Sequence, residues 1–135
     1  MSAEWTAAIA AAVAVIASLL TYILSSRITK GQVELQIREL ISAARRHHNE
    51  MLVESCNAND EIKKIVLDAA WEDILNAYDE ACKKYLDKKV DQKSFKQMYQ
   101  DEIRKIVEDK EFQEKHSTPQ SRYRFILKVY GEWRS

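Results

Sequence analysis

The sequence predicts an all-α protein with a single N-terminal transmembrane helix followed by a small bundle of about four helices. Three observations support this prediction. Residues 5–24 contain no charged side chain, although 31% of the chain is charged. Beyond residue 32 the apolar residues recur three and four positions apart, which is the spacing of one helix face. Only two Gly and one Pro occur in 135 residues, and the turns of a sheet-rich fold need more of both.

The apolar run from Trp5 to Leu24 has the length and composition of a transmembrane helix. Its twenty residues would span about 30 Å, the thickness of the hydrocarbon core. Eight strongly apolar aliphatic residues favour insertion by about 2 to 5 kcal/mol. A cleaved signal peptide needs basic residues before the apolar run, and an interfacial helix needs a charged face. The run has neither feature, so residues 1–27 are predicted to form a membrane anchor.

The charges that flank the anchor predict its orientation. Arg27 and Lys30 follow the apolar run, whereas only Glu4 precedes it. The positive-inside rule then places the N-terminus outside and the rest of the chain in the cytoplasm. Amphipathic aromatic residues favour the interface, so Trp5 and Tyr22 are expected to anchor the two ends together with the basic pair. The predicted location is the cell membrane, crossed once.

One ridge of the anchor is a candidate face for self-association. Ala10, Ala14 and Ser18 recur at four-residue spacing, which lets two membrane helices approach closely. The same spacing arises by chance in an Ala-rich helix, so the ridge permits association without requiring it.

A juxtamembrane hinge is predicted over residues 28–31. Gly31 destabilises a helix by about 1 kcal/mol relative to Ala, so the helix either breaks here or continues with a weak point. Residues 32–135 are expected to form a cytoplasmic helical domain. Its first helix carries an apolar seam at heptad-like spacing: Val33, Ile37, Leu40, Ala44, His47 and Met51.

Two further helices follow with recognisable caps. Asn59 or Asp60 is a favourable N-cap for a helix over about 61–87, which carries a broad apolar surface. The charged turn DKKVDQKS comes next, and Asp91 within it is the predicted N-cap of a helix that includes residues 95–107.

The C-terminal part is predicted to hold one more helix. Residues 110–117 are interpreted as a polar connector with Phe112 packed back on the domain. Thr118 and Pro119 are interpreted as the N-cap and first position of the last helix, where Pro is favoured. At helical spacing, the aromatic residues Tyr123, Tyr130 and Trp133 are more typical of a core than of a recognition surface.

The two cysteines favour a structural role. Cys56 and Cys82 stand 26 residues apart without a CxxC pair. In a reducing cytoplasm both are expected to be small buried apolar residues.

The segment LNAYDEACKKYLDKKVDQKSFKQMYQDEIRKIVED, followed by RYRFILKVYGEW, resembles small uncharacterised bacterial proteins. These proteins pair one N-terminal membrane helix with a short helical cytoplasmic domain. The resemblance covers about half the chain and rests mostly on core-facing aromatic and aliphatic residues. It implies a bacterial inner-membrane location and brings no activity, cofactor or catalytic residue.

The most unusual short motif is RRHH, formed by Arg45, Arg46, His47 and His48. We interpret it as a possible basic contact patch for anionic lipid or an acidic partner. Adjacent helical positions point about 100° apart, so the two histidines do not form a helical zinc pair. No Glu or Asp has a His three residues later, so the di-metal bundle motif is missing. No metal, cofactor or catalytic residue is predicted.

Charge and composition narrow the classes of partner. The formal net charge is zero and is distributed in segments, which does not favour nucleic acid. The two glycines are a hundred residues apart, so a Gly-rich phosphate loop is excluded, and no small-molecule substrate is evident. The leading hypothesis is a non-enzymatic, membrane-tethered module that binds a protein partner or itself. The alternative is a membrane-active effector, of the toxin or phage-defence type, whose Ala-rich helix oligomerises and perturbs the bilayer.

Overall fold

The computed structural model describes residues 2–134, and this part of the chain contains five α-helices and no strand. The all-α prediction is confirmed. The number of helices is also five, but their bounds differ from those expected. The helices are α1 Ala3–Glu54, α2 Asp60–Leu86, α3 Gln92–Glu108, α4 Lys110–His116 and α5 Arg124–Arg134.

Helix α1 is continuous from the apolar segment into the helical domain. Its 52 residues span about 78 Å. Of the two alternatives for Gly31, a break or a continuous helix, the structure shows the continuous helix. The N-terminal part is long and apolar enough to cross a membrane, and none of its most apolar window is buried. The division of the chain into anchor, hinge and domain remains a prediction.

The core is built by the second half of α1 with α2, α3, α4 and α5. Helix α1 contributes Ile37 and Ile41, each at most 6% exposed, with Val33 and Ala44 packed beside them. Helix α2 lies along this face and supplies more of the buried side chains than any other helix. They include the following residues: Ala70, Ile74, Leu75, Ala77, Tyr78, Ala81, Cys82 and Tyr85.

Two of the predicted N-caps are confirmed. The side chain of Asn59 accepts a hydrogen bond from the backbone N–H of Ile62 at 2.9 Å. The carboxylate of Asp91 accepts one from the backbone N–H of Ser94 at 2.8 Å. Each satisfies a first-turn donor that has no partner within its own helix.

Helix α2 ends in a Schellman motif. The backbone N–H of Lys88 donates to the carbonyl of Tyr85, and that of Lys89 donates to the carbonyl of Lys84, both at 3.0 Å. This motif places one residue in the left-handed conformation, usually Gly. Lys88 occupies that position with φ of 57° and is the one non-glycine residue with positive φ between residues 2 and 134.

The prediction of a polar connector over residues 110–117 is wrong, because α4 occupies Lys110–His116. Asp109 ends α3 and also begins α4, since its carboxylate accepts from the backbone N–H of Phe112 at 3.2 Å. Phe112 is 2% exposed. One capping carboxylate and one buried ring stabilise a seven-residue helix that is too short to produce an apolar repeat.

The predicted start of the last helix is also wrong. Thr118 and Pro119 lie in a turn, and α5 begins at Arg124. The first turn of α5 is capped from another helix: the carboxylate of Asp79 on α2 accepts from the backbone N–H groups of Phe125 and Ile126, both at 3.1 Å. A cap that lies 46 residues away in sequence leaves no local signal.

The expectation for Cys56 is corrected as well. Cys82 is buried within α2 as expected, but Cys56 is exposed in the turn between α1 and α2, and both are free thiols. Its neighbour Ser55 is buried at 5% exposure, so burial changes from one residue to the next within this turn.

Candidate functional site

The predicted membrane-interface residues lie on the exposed part of α1. Trp5 and Tyr22 are 68% and 73% exposed, and Arg27 is exposed one turn beyond the apolar run. Lys30 is half-buried, because this part of α1 approaches the helical domain. These positions are those a membrane anchor requires, and their roles at an interface remain predictions.

The ridge of small residues is uncovered. Ala10, Ala14 and Ser18 are all exposed on one face of α1, since no helix packs against this segment. The ridge is therefore open to a second helix, which is the geometry that close helix association uses.

Arg45 joins three helices at the edge of the core. Its guanidinium Nη2 donates to the hydroxyl of Tyr78 at 2.6 Å and lies 3.3 Å from the carboxylate of Glu102. The hydroxyl of Tyr78 donates in turn to Glu102. This triad connects α1, α2 and α3 through charge-assisted hydrogen bonds, which are stronger than neutral ones.

The other side chains of the RRHH motif point in different directions. The Nε2 atom of His47 lies 4.0 Å from a carboxylate oxygen of Asp73. The ring of His48 meets Trp71 edge-on, with centroids 6.3 Å apart. Arg46 borders a shallow groove on a different side of α1, together with Glu50 and Val53 among others. The motif thus does not form one continuous patch, and its contact with an anionic partner remains a prediction.

A cleft of about 540 Å³ lies next to the triad, between α1, α2, α3 and the start of α4. Its wall combines a half-buried indole with both signs of charge. It is lined by Arg45, His48, Leu67, Asp68, Trp71, Glu102, Lys105, Ile106, Asp109 and Glu111. The sequence predicted a broad apolar surface on this part of α2 and gave no sign of the cleft, because residues from four helices meet only in the folded chain.

The C-terminal aromatic residues pack mainly as core. Tyr123 is 1% exposed, and Tyr130 and Trp133 are half-buried. The indole N–H of Trp133 donates to the hydroxyl of Tyr85 at 3.0 Å. The ring of Phe95 lies 5.2 Å from that of Tyr85, so this aromatic cluster joins the ends of α2 and α5 to the start of α3.

Burial raises the pKa of three groups in the core. Desolvation raises the pKa of Tyr78, and the hydrogen bond to Glu102 acts in the same direction. Burial also raises the pKa of Asp79, against the backbone N–H groups of α5 that lower it. The thiol of Cys82 has a raised pKa because it is buried and lies near Asp79, so little reactive thiolate forms at neutral pH.

No group of three or more His, Cys, Asp or Glu side chains that could hold a metal ion occurs in the described part of the chain. His116 packs between the rings of Phe112 and Tyr123, with centroids 5.3 and 4.8 Å away. Burial lowers its pKa, so the imidazole is neutral at pH 7.

Comparison with known protein families, with curated proteins and with solved structures finds no match to this chain.

Proposed function

We propose that this protein is a membrane-tethered, non-catalytic interaction module whose helical domain binds a protein partner, or a second copy of itself, at the cytoplasmic face of a bacterial inner membrane. The observation that carries the proposal is the continuity of α1. One 52-residue helix joins an unburied apolar segment to the core, so a bilayer that holds the first half also positions the second.

The cleft beside Trp71 supports a binding role for the domain. A half-buried indole flanked by charged side chains is typical of protein recognition surfaces, where Trp and Arg contribute much of the binding energy. The cleft lies at Arg45 to His48 on α1, more than twenty residues beyond Leu24. A partner in the aqueous phase would reach it without displacing lipid.

Membrane anchoring is tested by one charge. Ala14→Arg places a cation near the centre of the apolar run and costs about 2.5 to 3.5 kcal/mol, which is similar to the whole insertion energy. We expect this variant to leave the alkali-resistant membrane fraction. Ala43→Arg is the matched control, because Ala43 is exposed on the same helix beyond the anchor. Wild-type recovery of Ala14→Arg in that fraction contradicts anchoring.

Partner binding is tested by crosslinking in native membranes, followed by mass spectrometry. Trp71→Ala should weaken a specific crosslinked product, whereas Glu39→Gln, at an exposed position of α1 outside the cleft, should not. If wild-type membranes return only monomer, with no partner above background, the binding proposal fails although anchoring stands.

A second candidate is a membrane-active effector, and the uncovered ridge of Ala10, Ala14 and Ser18 favours it. Oligomerisation through this ridge would perturb the bilayer, so high expression should depolarise cells or stop their growth. Changing all three residues to Leu should abolish that effect, while Leu at Ala8 and Ala12, on another face, should not. An unaltered growth curve at high expression counts against this function.

A further inference from the structure

The turn between α2 and α3 is the part of the helical domain nearest to the apolar segment. We call residues 87–91 the membrane-proximal turn. Helix α2 runs antiparallel to α1, so Tyr78 meets Arg45 and the end of α2 meets an earlier part of α1. The backbone N–H of Asp91 donates to the carboxylate of Glu34 at 3.1 Å, which places the turn beside the first turns of α1 after the anchor.

The helical rise sets how far this turn lies from lipid. Glu34 follows Leu24 by ten residues, or about 15 Å along a continuous helix. The headgroup layer occupies about 5 to 8 Å beyond the hydrocarbon core. The turn therefore lies about 7 to 10 Å from the headgroup surface, close to the Debye length of about 8 Å. Lysine stems extending from it shorten that gap.

The tertiary structure gathers basic side chains at this level from three segments of the chain. Arg27 and Lys30 lie on α1 between the apolar run and this level, Lys88 and Lys89 lie in the turn, and Lys93 lies in the first turn of α3. All are exposed except Lys30, which is half-buried. None of the three segments is a polybasic cluster by itself, but the five residues together fall within the range of 4 to 8 basic residues that attracts anionic lipid.

Carboxylates at the same end offset part of this charge. Glu34, Asp87 and Asp91 lie beside the five basic groups, so these eight side chains have a net charge of +2. Glu34 and Asp91 are held by the backbone N–H groups of Asp91 and Ser94, which turns them toward the protein. Glu132 and Arg134, near the end of α5, carry opposite formal charges and add nothing to this sum.

Lys88 occupies a backbone position that disfavours it. Its φ of 57° lies in the left-handed region, which is unfavourable for residues with a Cβ atom and readily accepted by Gly. The Schellman motif would form with Gly at this position. A lysine in a strained conformation, in the turn nearest to the apolar segment, points to a role for its charge rather than its conformation.

We propose that the membrane-proximal turn docks the helical domain onto anionic phospholipid headgroups, with Lys88, Lys89 and Lys93 completing a basic rim begun by Arg27 and Lys30. This inference rests on the membrane anchor of the proposed function. Docking limits the tilt of the domain on its single helix and leaves the cleft at the opposite end facing the aqueous phase.

Lysine acylation on the full chain in lipid nanodiscs tests the contact. A surface potential of about −30 mV raises the local proton concentration about threefold, which lowers the fraction of reactive free amine by a similar factor. We expect Lys88 and Lys89 to react about threefold more slowly, or slower still, in nanodiscs containing phosphatidylglycerol than in neutral phosphatidylcholine. Lys63 and Lys64, near the other end of α2, are the internal controls and should react equally in both. High salt should remove the difference.

Lys88→Gly separates the role of charge from that of structure. The substitution relieves the left-handed strain, so Tm should rise by a few degrees. It also removes one charge from the rim, so the protection of the neighbouring Lys89 in anionic nanodiscs should fall. A matched change of one charge, Lys64→Gln, at an exposed position near the other end of α2, should leave that protection unchanged.

The outcomes distinguish this inference from its premise. Release of the wild-type chain by alkali overturns the membrane anchor and the docking together. Retention of the chain with equal acylation rates in the two nanodiscs overturns docking alone. Docking is also overturned if Lys88 and Lys89 are protected equally in neutral and anionic nanodiscs and the protection increases with protein density. A second copy of the chain, rather than lipid, would then cover the turn.

Discussion

At the residue scale, the domain depends on a few polar side chains whose partners lie on other helices. The hydroxyl of Tyr78 joins Arg45 and Glu102, and the carboxylate of Asp79 caps a helix 46 residues later. Such groups are favourable only when they are paired, because a buried polar atom without a partner loses its hydration. Their substitution therefore tests the tertiary structure directly.

Two tyrosines provide a matched pair of substitutions. Tyr78→Phe removes the hydroxyl shared by Arg45 and Glu102 and should lower the free energy of unfolding by about 1 to 2 kcal/mol. The buried hydroxyl of Tyr123 has no hydrogen-bond partner within the described residues. Tyr123→Phe should therefore be neutral or slightly stabilising. Chemical denaturation of both variants measures the difference, and equal losses would contradict the described hydrogen bonding.

Asp79 makes stability dependent on pH. Removing the cap in Asp79→Ala should lower the free energy of unfolding by about 1 kcal/mol.

The pH dependence of stability is a separate test, because burial raises the pKa of Asp79 above its unfolded value. The stability that this shift contributes is therefore fully present below the unfolded pKa of about 3.9 and is lost as pH rises through the folded pKa. The advantage of the wild type over Asp79→Asn should accordingly shrink as pH rises from about 3 through the folded pKa, as measured by urea denaturation. An advantage that grows over this range would contradict the shift.

At the element scale, the two parts of the continuous helix α1 differ in their surroundings. Residues 5–24 present apolar side chains to their surroundings, whereas Ile37 and Ile41 bury theirs in the core. A rigid connection between the two parts requires that the helix hold through Gly31, its weakest position. Substitutions that bend or stiffen this helix should therefore alter how the domain is oriented relative to the apolar segment.

Gly31 provides the test of that connection. A Cβ atom added at this position meets nothing within 4 Å, so Gly31→Ala should stabilise the helix by about 0.5 to 1 kcal/mol. Gly31→Pro should kink the rod and weaken the lipid protection of Lys88 without unfolding the core. Amide hydrogen exchange across residues 28–34 measures the change in helix stability, and lysine acylation in anionic nanodiscs measures the protection of Lys88. Faster exchange in Gly31→Ala than in the wild type would contradict a continuous α1.

At the scale of the whole molecule, the core needs α1 only from about Val33 onward. The buried and half-buried side chains of α1 that pack on the core begin at that residue. Two ends of the domain then differ in character: the membrane-proximal turn carries a basic rim, and the end near His48 carries the cleft. The antiparallel pairing of α1 and α2 produces this polarity.

Truncation and thiol reactivity together test the extent of the core. Removing residues 1–27 should leave the domain folded, whereas removing residues 1–44 should unfold it, because Ile37 and Ile41 are lost. In the folded chain, the exposed Cys56 should react rapidly with an aromatic disulfide reagent. The buried Cys82, whose pKa is raised by burial, should react slowly. If both cysteines react rapidly in the chain that lacks residues 1–27, essential core contacts must lie before residue 28.

The sequence by itself determined the features that arise from local periodicity and local caps. An uncharged run of membrane length, apolar residues at helical spacing, and the caps Asn59 and Asp91 predicted an all-α chain with helices close to α2 and α3. These signals are readable because a helix brings together residues three and four apart, and its first turn is capped by the residue just before it.

Only the tertiary structure decided what depends on residues distant in sequence. It placed the start of α5 at Arg124 through the carboxylate of Asp79, and it stabilised the short α4 through the buried ring of Phe112. It also divided the RRHH motif among different surfaces and assembled the cleft beside Trp71. The proposed basic rim follows the same rule, since the turn that carries Lys88 reaches α1 near Lys30 only when α2 folds back along α1. Periodicity predicts which face of a helix is buried, but the partner of that face is chosen by packing between helices.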